Sequence, residues 1–291
     1  MRAFRQVDVF TRTPFSGNGL TVFPESANLS AAQMQRITQE MRQFESIFLV
    51  ATEDAREVVA RVFTVEEELD FAGHPVLGAA CVLHERLAGA GERETWRIRL
   101  NRSIAPVTTA RHEGWYSATM EQGAPIFGDV ASPELRDEYA AALSLAEDDL
   151  DETLPLQMVS TGLPYLLVPV RRGLERARIR RPAFEALLGQ IGAKFVYVFD
   201  PGAREGRTWD NAGTVEDVAT GSAAGPTAAY LVRYGLAQPE TEILLAQGRF
   251  VGRPSQITVR VAGTAEAITG VSVGGDVCTV GGGEIVEPDR E

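Results

Sequence analysis

One acidic residue lies in an apolar run where a carboxylate could carry protons. Glu45 stands between Phe44 and the run Ile47-Phe48, at the junction of a predicted helix and a predicted strand. Burial beside apolar groups raises the pKa of a carboxyl group toward neutrality, where one group can serve as base and then as acid. The alternative is a solvated glutamate at a helix end, which the pattern taken by itself favours.

His74 and Asp217 are two further candidates, each close to a glycine that precedes a predicted helix. His74 follows Gly73, and Asp217 lies shortly before Gly221. His74 could donate to a substrate or relay a proton, and Asp217 could act as a second acid. A lone histidine is more often structural, and an aspartate in this place could simply cap the helix, so both alternatives stay open.

Two glycine-led helix starts could bind an anion. A glycine before a helix exposes backbone N–H groups, and the helix dipole favours negative charge there. Gly73-His74 and Gly221-Ser222 are such starts. Either one alone is weak, because glycine in this place commonly only permits a turn. If two similar halves of the chain face each other, both starts point into one cleft.

These residues are positioned by alternating strands and helices. Ser30 and Gln33 have the spacing of a capping box at the start of a helix that ends near Arg42. A helix over 76–87 is apolar enough to be buried on most sides. In the second half, Ser132 and Pro133 start a helix. Other predicted elements include strands at 4–10, 20–23, 58–64, 96–100, 165–170 and 195–199 and a helix around 183–188.

A degenerate internal repeat predicts two homologous domains. The tripeptide 64–66, Thr-Val-Glu, precedes Gly73, and the same tripeptide at 214–216 precedes Gly221, about half a chain length away. Two units are too few for a solenoid. We therefore expect an N-terminal domain over 1–122, which a strand from 277–287 could complete, and a C-terminal domain over 123–276.

Composition excludes several classes of function. The chain has 291 residues, a formal charge of -12 and a pI near 4.9, which argues against nucleic-acid or membrane partners because phosphate repels an acidic surface. No apolar run approaches the roughly 20 residues that span a bilayer. The two cysteines and three histidines show no metal-ligand spacing. We expect a cytoplasmic protein without a metal site.

Several short motifs, in order over nearly the whole chain, are together highly specific. They are similar to those of the phenazine-biosynthesis PhzF-like family. The motifs are Gly17-Asn18, Glu45-Ser46, Phe71-Ala72-Gly73-His74-Pro75, Ser160-Thr161-Gly162-Leu163-Pro164, Glu216-Asp217, Ala219-Thr220-Gly221-Ser222-Ala223, Gln247-Gly248 and Gly252-Arg253-Pro254.

The resemblance implies an α+β, diaminopimelate-epimerase-like fold. Its two similar domains are each a curled, barrel-like mixed sheet around a central helix, with the active site between them. It also implies a homodimer, no cofactor, and a small carboxylate as substrate, in natural-product biosynthesis. In the family, the glutamate matching Glu45 takes a proton from one carbon and returns it to another on the same face. The implied site residues are catalytic Glu45, His74 and Asp217 and substrate-binding Asn18, Gly73, Gly221 and Ser222.

Departures from the family pattern leave the substrate open. Val65 and Val218 replace usual prolines, and the segment 207–210 differs from the family's. An unsaturated or dihydro-aromatic amino or hydroxy acid is the preferred substrate class. One alternative is an epimerase or racemase with Glu45 and Asp217 on opposite faces of a carbon, and another is a binding protein without turnover. A two-thiol racemase is disfavoured. The related epimerases have a cysteine at each of the two helix starts, where this chain has His74 and Ser222.

Overall fold

The structure, a computed structural model, describes residues 1–70, 72–87, 91–101 and 103–289. The chain divides into two compact units, Met1–Glu121 with Gly274–Glu291, and Gln122–Val273. The homologous domains expected over 1–122 and 123–276 remain a prediction. Phe71 of the motif that contains His74 lies outside the described residues. Within the described ranges, no helix is long and apolar enough to cross a membrane.

The first unit is a curled mixed sheet around one buried helix. Its elements are β1 (Arg2–Val9), β2 (Asn18–Phe23), α1 (Ala31–Met41), β3 (Glu45–Ala51), β4 (Glu57–Thr64), β5 (Glu68–Leu69), α2 (His74–Arg86), β6 (Arg93–Arg99), β7 (Ile104–Arg111) and β8 (Tyr116–Gly123). The strands follow the order β1-β2-β3-β4-β6-β7-β8, with β5 beside β4. The pairs β2/β3 and β4/β6 are parallel, and the other pairs along this path are antiparallel.

The long last strand, β16 (Ile268–Ile285), curls this sheet into a barrel-like form because it hydrogen-bonds to both β1 and β8. Helix α2 packs on β1, β2, β3, β6 and β7. Gly78 permits this packing, since a Cβ there would meet a side-chain carbon of Leu20 at 2.6 Å. A helix rich in alanine, valine and leucine can be buried on most sides, as expected from the sequence.

The second unit repeats this plan. Its elements are β9 (Ile126–Val130), α3 (Pro133–Ala142), β10 (Gln157–Ser160), β11 (Pro164–Pro169), α4 (Phe184–Gly189), β12 (Phe195–Asp200), β13 (Glu205–Arg207), α5 (Gly221–Arg233), β14 (Glu242–Gln247) and β15 (Ser255–Gly263). The strand order is β15-β14-β13-β12-β11-β10-β9, with the first part of β16 beside β15. The pairs β11/β12 and β13/β14 are parallel. Helix α5 packs on β10, β11, β14 and β15.

Local signals in the sequence predict two of the helix starts correctly. Ser30 and Gln33 form the expected capping box at 3.0 and 3.2 Å, and Arg42 ends α1 in the left-handed conformation. Ser132 caps α3 as predicted. The helix expected over 76–87 begins two residues earlier, at His74, because Pro75 fits the first turn, where its missing N–H is not needed.

Candidate functional site

Glu45 is the first residue of β3, and its side chain is buried. It pairs with Leu20 of the parallel strand β2 and with Thr64 of the antiparallel strand β4. Glu45 is only 8% exposed, whereas Phe44 before it is 45% exposed. Because β3 has a neighbouring strand on each side, its first residue is already shielded from water. The structure therefore does not place Glu45 as a solvated glutamate at a helix end.

His74 is the first residue of α2, and its ring lies between two polar side chains. Nδ1 is 3.5 Å from the amide nitrogen of Asn18, and Nε2 is 3.5 Å from Oε2 of Glu45. Burial lowers the pKa of His74 to about 3, so the imidazole is neutral at physiological pH. Because an amide nitrogen can only donate, Nδ1 accepts and the single ring hydrogen is on Nε2. His74 therefore directs an N–H toward the Glu45 carboxylate.

The Nε2–H of His74 is a buried donor that makes no hydrogen bond within the described part of the chain. Its separation from Glu45 exceeds the roughly 2.7–3.2 Å of a normal N–H···O hydrogen bond. An unsatisfied buried donor costs about 1–3 kcal/mol, which a bound acceptor would offset. The pair can therefore serve a ligand in two ways: the carboxylate can exchange a proton with it, and the imidazole can donate a hydrogen bond to it.

The start of α2 adds a field that favours an anion near this pair. Gly73 is the N-cap residue, and no side chain caps the first turn there. The helix is 13 residues long, and its N-terminal end carries partial positive charge. In the first unit the structure thus brings together four of the predicted site residues, Asn18, Glu45, Gly73 and His74.

Asp217 lies in the turn that leads into α5, in the second unit. Its Oδ2 accepts a hydrogen bond from the Thr220 hydroxyl at 2.5 Å, and its backbone N–H donates to the carbonyl oxygen of Thr208 at 3.0 Å. Thr220 is the N-cap residue of α5, but its side chain makes no cap bond; its hydroxyl donates to Asp217. Asp217 is therefore a half-buried carboxylate held just ahead of a helix N-terminus.

A buried ion pair anchors this turn. The Arg207 guanidinium donates to both carboxylate oxygens of Glu216, at 2.9 and 2.6 Å. It also donates to the carbonyl oxygens of Leu174 and Glu175, at 2.8 and 3.0 Å. Because Glu216 directly precedes Asp217, these bonds fix the backbone that carries Asp217.

Ser222 and Gly221 begin α5 and have polar partners that were not predicted as site residues. The Ser222 hydroxyl is 2.9 Å from the hydroxyl of Tyr165. The carbonyl oxygen of Gly221 accepts from the Gln122 amide at 3.2 Å, and Gln122 in turn accepts from Thr161 at 2.7 Å. Thr161 belongs to one of the sequence motifs noted above, a signal that could have identified it. Gln122 and Tyr165 carried no such signal.

The remaining candidates for reactive groups are structural. Cys81 and Cys278 are both free and buried, and burial raises the pKa of the Cys81 thiol, which disfavours a nucleophilic thiolate. His84 is hydrogen-bonded through both ring nitrogens, to Thr109 at 2.8 Å and to the carbonyl oxygen of Gly91 at 2.9 Å. Across the described ranges, no cluster of three or more His, Cys, Asp or Glu side chains could hold a metal ion.

A mixed arrangement of strands around a central helix in each unit places the protein in the diaminopimelate-epimerase-like fold class. A hydroxyproline epimerase from Agrobacterium vitis shares this fold, with a TM-score of 0.58 over 97% of this chain and 93% of that one, at 15% identity. The buried Glu45 carboxylate beside a neutral imidazole suits proton transfer at carbon. The fold and the site together suit a proton-transferring isomerase.

The chain belongs to the phenazine biosynthesis-like protein family, whose model matches residues 7–283. It is 33% identical to the trans-2,3-dihydro-3-hydroxyanthranilate isomerase of Pseudomonas chlororaphis, over 96% of this chain and 98% of that protein. It is 47% identical to a solved structure from Pseudomonas aeruginosa described as a predicted epimerase, with a TM-score of 0.91 over 99% of this chain and 100% of that one. The protein is an isomerase.

Proposed function

We propose that the protein moves a proton between two carbons of a small unsaturated or dihydro-aromatic amino or hydroxy acid. The observation that carries this proposal is the buried Glu45 carboxylate with the Nε2–H of neutral His74 3.5 Å away. A dihydro-hydroxyanthranilate is the first compound to test, because a 33% identical relative is named as the isomerase of such a compound. Natural-product biosynthesis is the corresponding pathway class.

Glu45 acts first as base and then as acid. Its carboxylate removes a proton from a carbon next to the unsaturated system, and the electron pair spreads over the conjugated bonds. The carboxylic acid so formed returns the proton to a carbon two positions away on the same face. Atoms and electrons balance without an oxidant or reductant, so the reaction as proposed requires no cofactor. The neutral His74 donates a hydrogen bond while negative charge develops.

We also propose the substrate-binding residues. Asn18 and the backbone of Gly73 in the first unit, and Gly221 and Ser222 in the second, are proposed to hold the substrate, and Asp217 to assist the proton. The uncapped starts of α2 and α5 suit a carboxylate, because backbone N–H groups and the helix dipole attract an anion. An acidic protein can bind an acid in this way.

The test is incubation with trans-2,3-dihydro-3-hydroxyanthranilate in D2O, with NMR detection of deuterium at carbon. We expect isomerisation, with deuterium at the protonated carbon in the fraction of turnovers in which the Glu45 carboxylic acid exchanges with solvent before it returns the proton. Both should be lost in Glu45→Gln. Glu57→Gln is the matched control, since Glu57 is a buried carboxylate of the same sheet that is bound by Arg97 and Arg99. It should keep the activity. Equal activity in Glu45→Gln and the parent would exclude Glu45 as the proton carrier.

The same experiment distinguishes the alternatives. An epimerase, as the 47% identical relative is described, would exchange deuterium at one carbon and invert it without moving a double bond. A binding protein would be stabilised thermally by the compound and would show no exchange. We also propose a homodimer, which sedimentation would show, and a cytoplasmic location, which is consistent with two free cysteines.

A further inference from the structure

Gln247, the last residue of β14, is almost fully buried at 1% exposure and lies against the turn that carries Asp217. It belongs to the motif Gln247-Gly248, and none of the roles proposed above involves this motif. We infer that Gln247 is a positioning residue that directs the hydroxyl hydrogen of Thr220 onto the Asp217 carboxylate. This inference rests on the proposal that Asp217 serves the isomerisation.

The orientation of the Gln247 amide is set by two backbone groups. Oε1 accepts from the backbone N–H of Thr220 at 3.1 Å, and Nε2 donates to the backbone carbonyl of Asp217 at 2.9 Å. A backbone N–H can only donate and a carbonyl can only accept, so the opposite orientation would lose both bonds. The hydroxyl of Tyr197 also donates to Oε1, at 3.2 Å, and burial raises the pKa of Tyr197, which keeps this donor protonated.

This orientation determines where the Thr220 hydroxyl hydrogen goes. The second hydrogen of Nε2 is donated to Oγ1 of Thr220 at 3.0 Å. A hydroxyl that accepts from an amide keeps one hydrogen to donate. Oδ2 of Asp217 is 2.5 Å from Oγ1 and accepts it. The bonds therefore run in one direction, from Gln247 to Thr220 to Asp217, and they favour the ionised carboxylate.

The adjacent glycine explains how β14 comes so close to this turn. Gly248 has a φ of +85°, and a Cβ there would lie 2.6 Å from the carbonyl oxygen of Val218 and 2.3 Å from that of Arg253. A side chain at 248 would thus push the strand end away from the turn. The pair Gln247-Gly248 combines a hydrogen-bonding amide with the space that lets the amide reach Asp217.

The first test needs no substrate. The carboxyl carbon of Asp217 is followed by NMR against pH in protein labelled at aspartate, with Asp217→Asn to assign the signal. We expect Asp217 to titrate at higher pH in Thr220→Val and in Gln247→Leu than in the parent, and at the parent's pH in Thr220→Ser. If Gln247→Leu does not fold, Gln247→Met, which keeps the length of the side chain without its amide, carries the same test. An unchanged titration in Thr220→Val would overturn the inference.

Gln157 supplies a matched control for burial. It is a buried glutamine of the same unit that donates to the carbonyl of Gly128 at 2.9 Å and accepts from the Tyr234 hydroxyl at 2.8 Å. Gln157→Leu therefore removes two hydrogen bonds of a buried amide away from Asp217. The inference requires Gln157→Leu to leave the Asp217 titration unchanged. An equal shift in Gln157→Leu and Gln247→Leu would reduce Gln247 to a general packing role.

The second test uses the isomerase assay. Thr220→Val should lower kcat on the order of 10- to 100-fold, the range expected for losing one hydrogen bond to a charged group, with a smaller change in KM. Gln247→Leu should lower it similarly, and the double variant should be no worse than the poorer single one, because both act through one hydroxyl. Additive losses would contradict the inference. If the parent lacks activity, the proposed function fails while the NMR test still decides the role of Gln247.

Discussion

Replacing Glu216 with glutamine should cost about 3 to 5 kcal/mol of the free energy of unfolding, the usual result of leaving one buried charge without its partner. Arg207 is 2% exposed and donates to both oxygens of Glu216. Its guanidinium also lies 4.4 Å from the ring centre of Phe250, so water does not easily replace the lost carboxylate. Glutamine keeps the shape of the side chain but turns an N–H toward the guanidinium.

The measurement is urea unfolding followed by circular dichroism and tryptophan fluorescence. Glu240→Gln is the control, because Glu240 and Arg260 form an exposed pair at 3.2 Å, for which about 1 kcal/mol or less is expected. The double change Arg207→Met with Glu216→Leu should cost less than the sum of the two single changes, since it leaves no lone charge. If Glu216→Gln costs no more than Glu240→Gln, the ion pair does not anchor the Asp217 turn.

Two further predictions concern α2. His74 has a pKa of about 3 in the folded chain against about 6.5 unfolded, so the unfolded state binds the proton first and stability should fall as pH drops from 6.5 to 3. Denaturation at pH 7 and pH 4 should show a smaller loss in His74→Gln, and an equal loss would be evidence against a neutral buried ring. Gly78→Ala should destabilise by about 1–3 kcal/mol, because the new Cβ would lie 2.6 Å from a carbon of Leu20, which outweighs the helix preference for alanine. Thermal melts should show this loss for Gly78→Ala, whereas Gly189→Ala, where a Cβ meets nothing within 4 Å, should be neutral or stabilising.

Short-range signals predicted the secondary structure because the interactions involved span only a few residues. The capping box of Ser30 and Gln33 and the Ser132 cap are complete within one helical turn, so sequence spacing is enough to recognise them. The burial of α2 followed from its composition. The predicted helix ends were less exact. Helix α2 begins at His74, two residues before the start predicted from its apolar residues.

The candidate residues could be named from the sequence, but their chemical state could not. Family motifs identified Glu45, His74 and Asp217, because a motif depends only on residue types and their order in the sequence. The protonation of His74 depends on burial and on an amide 56 positions away, and the hydrogen bonds of Asp217 depend on Gln247, 30 positions away. Only the folded sheets bring such distant groups within hydrogen-bonding distance. Tertiary structure therefore decided which atoms donate and which accept, because these contacts depend on the close approach of segments far apart in the chain.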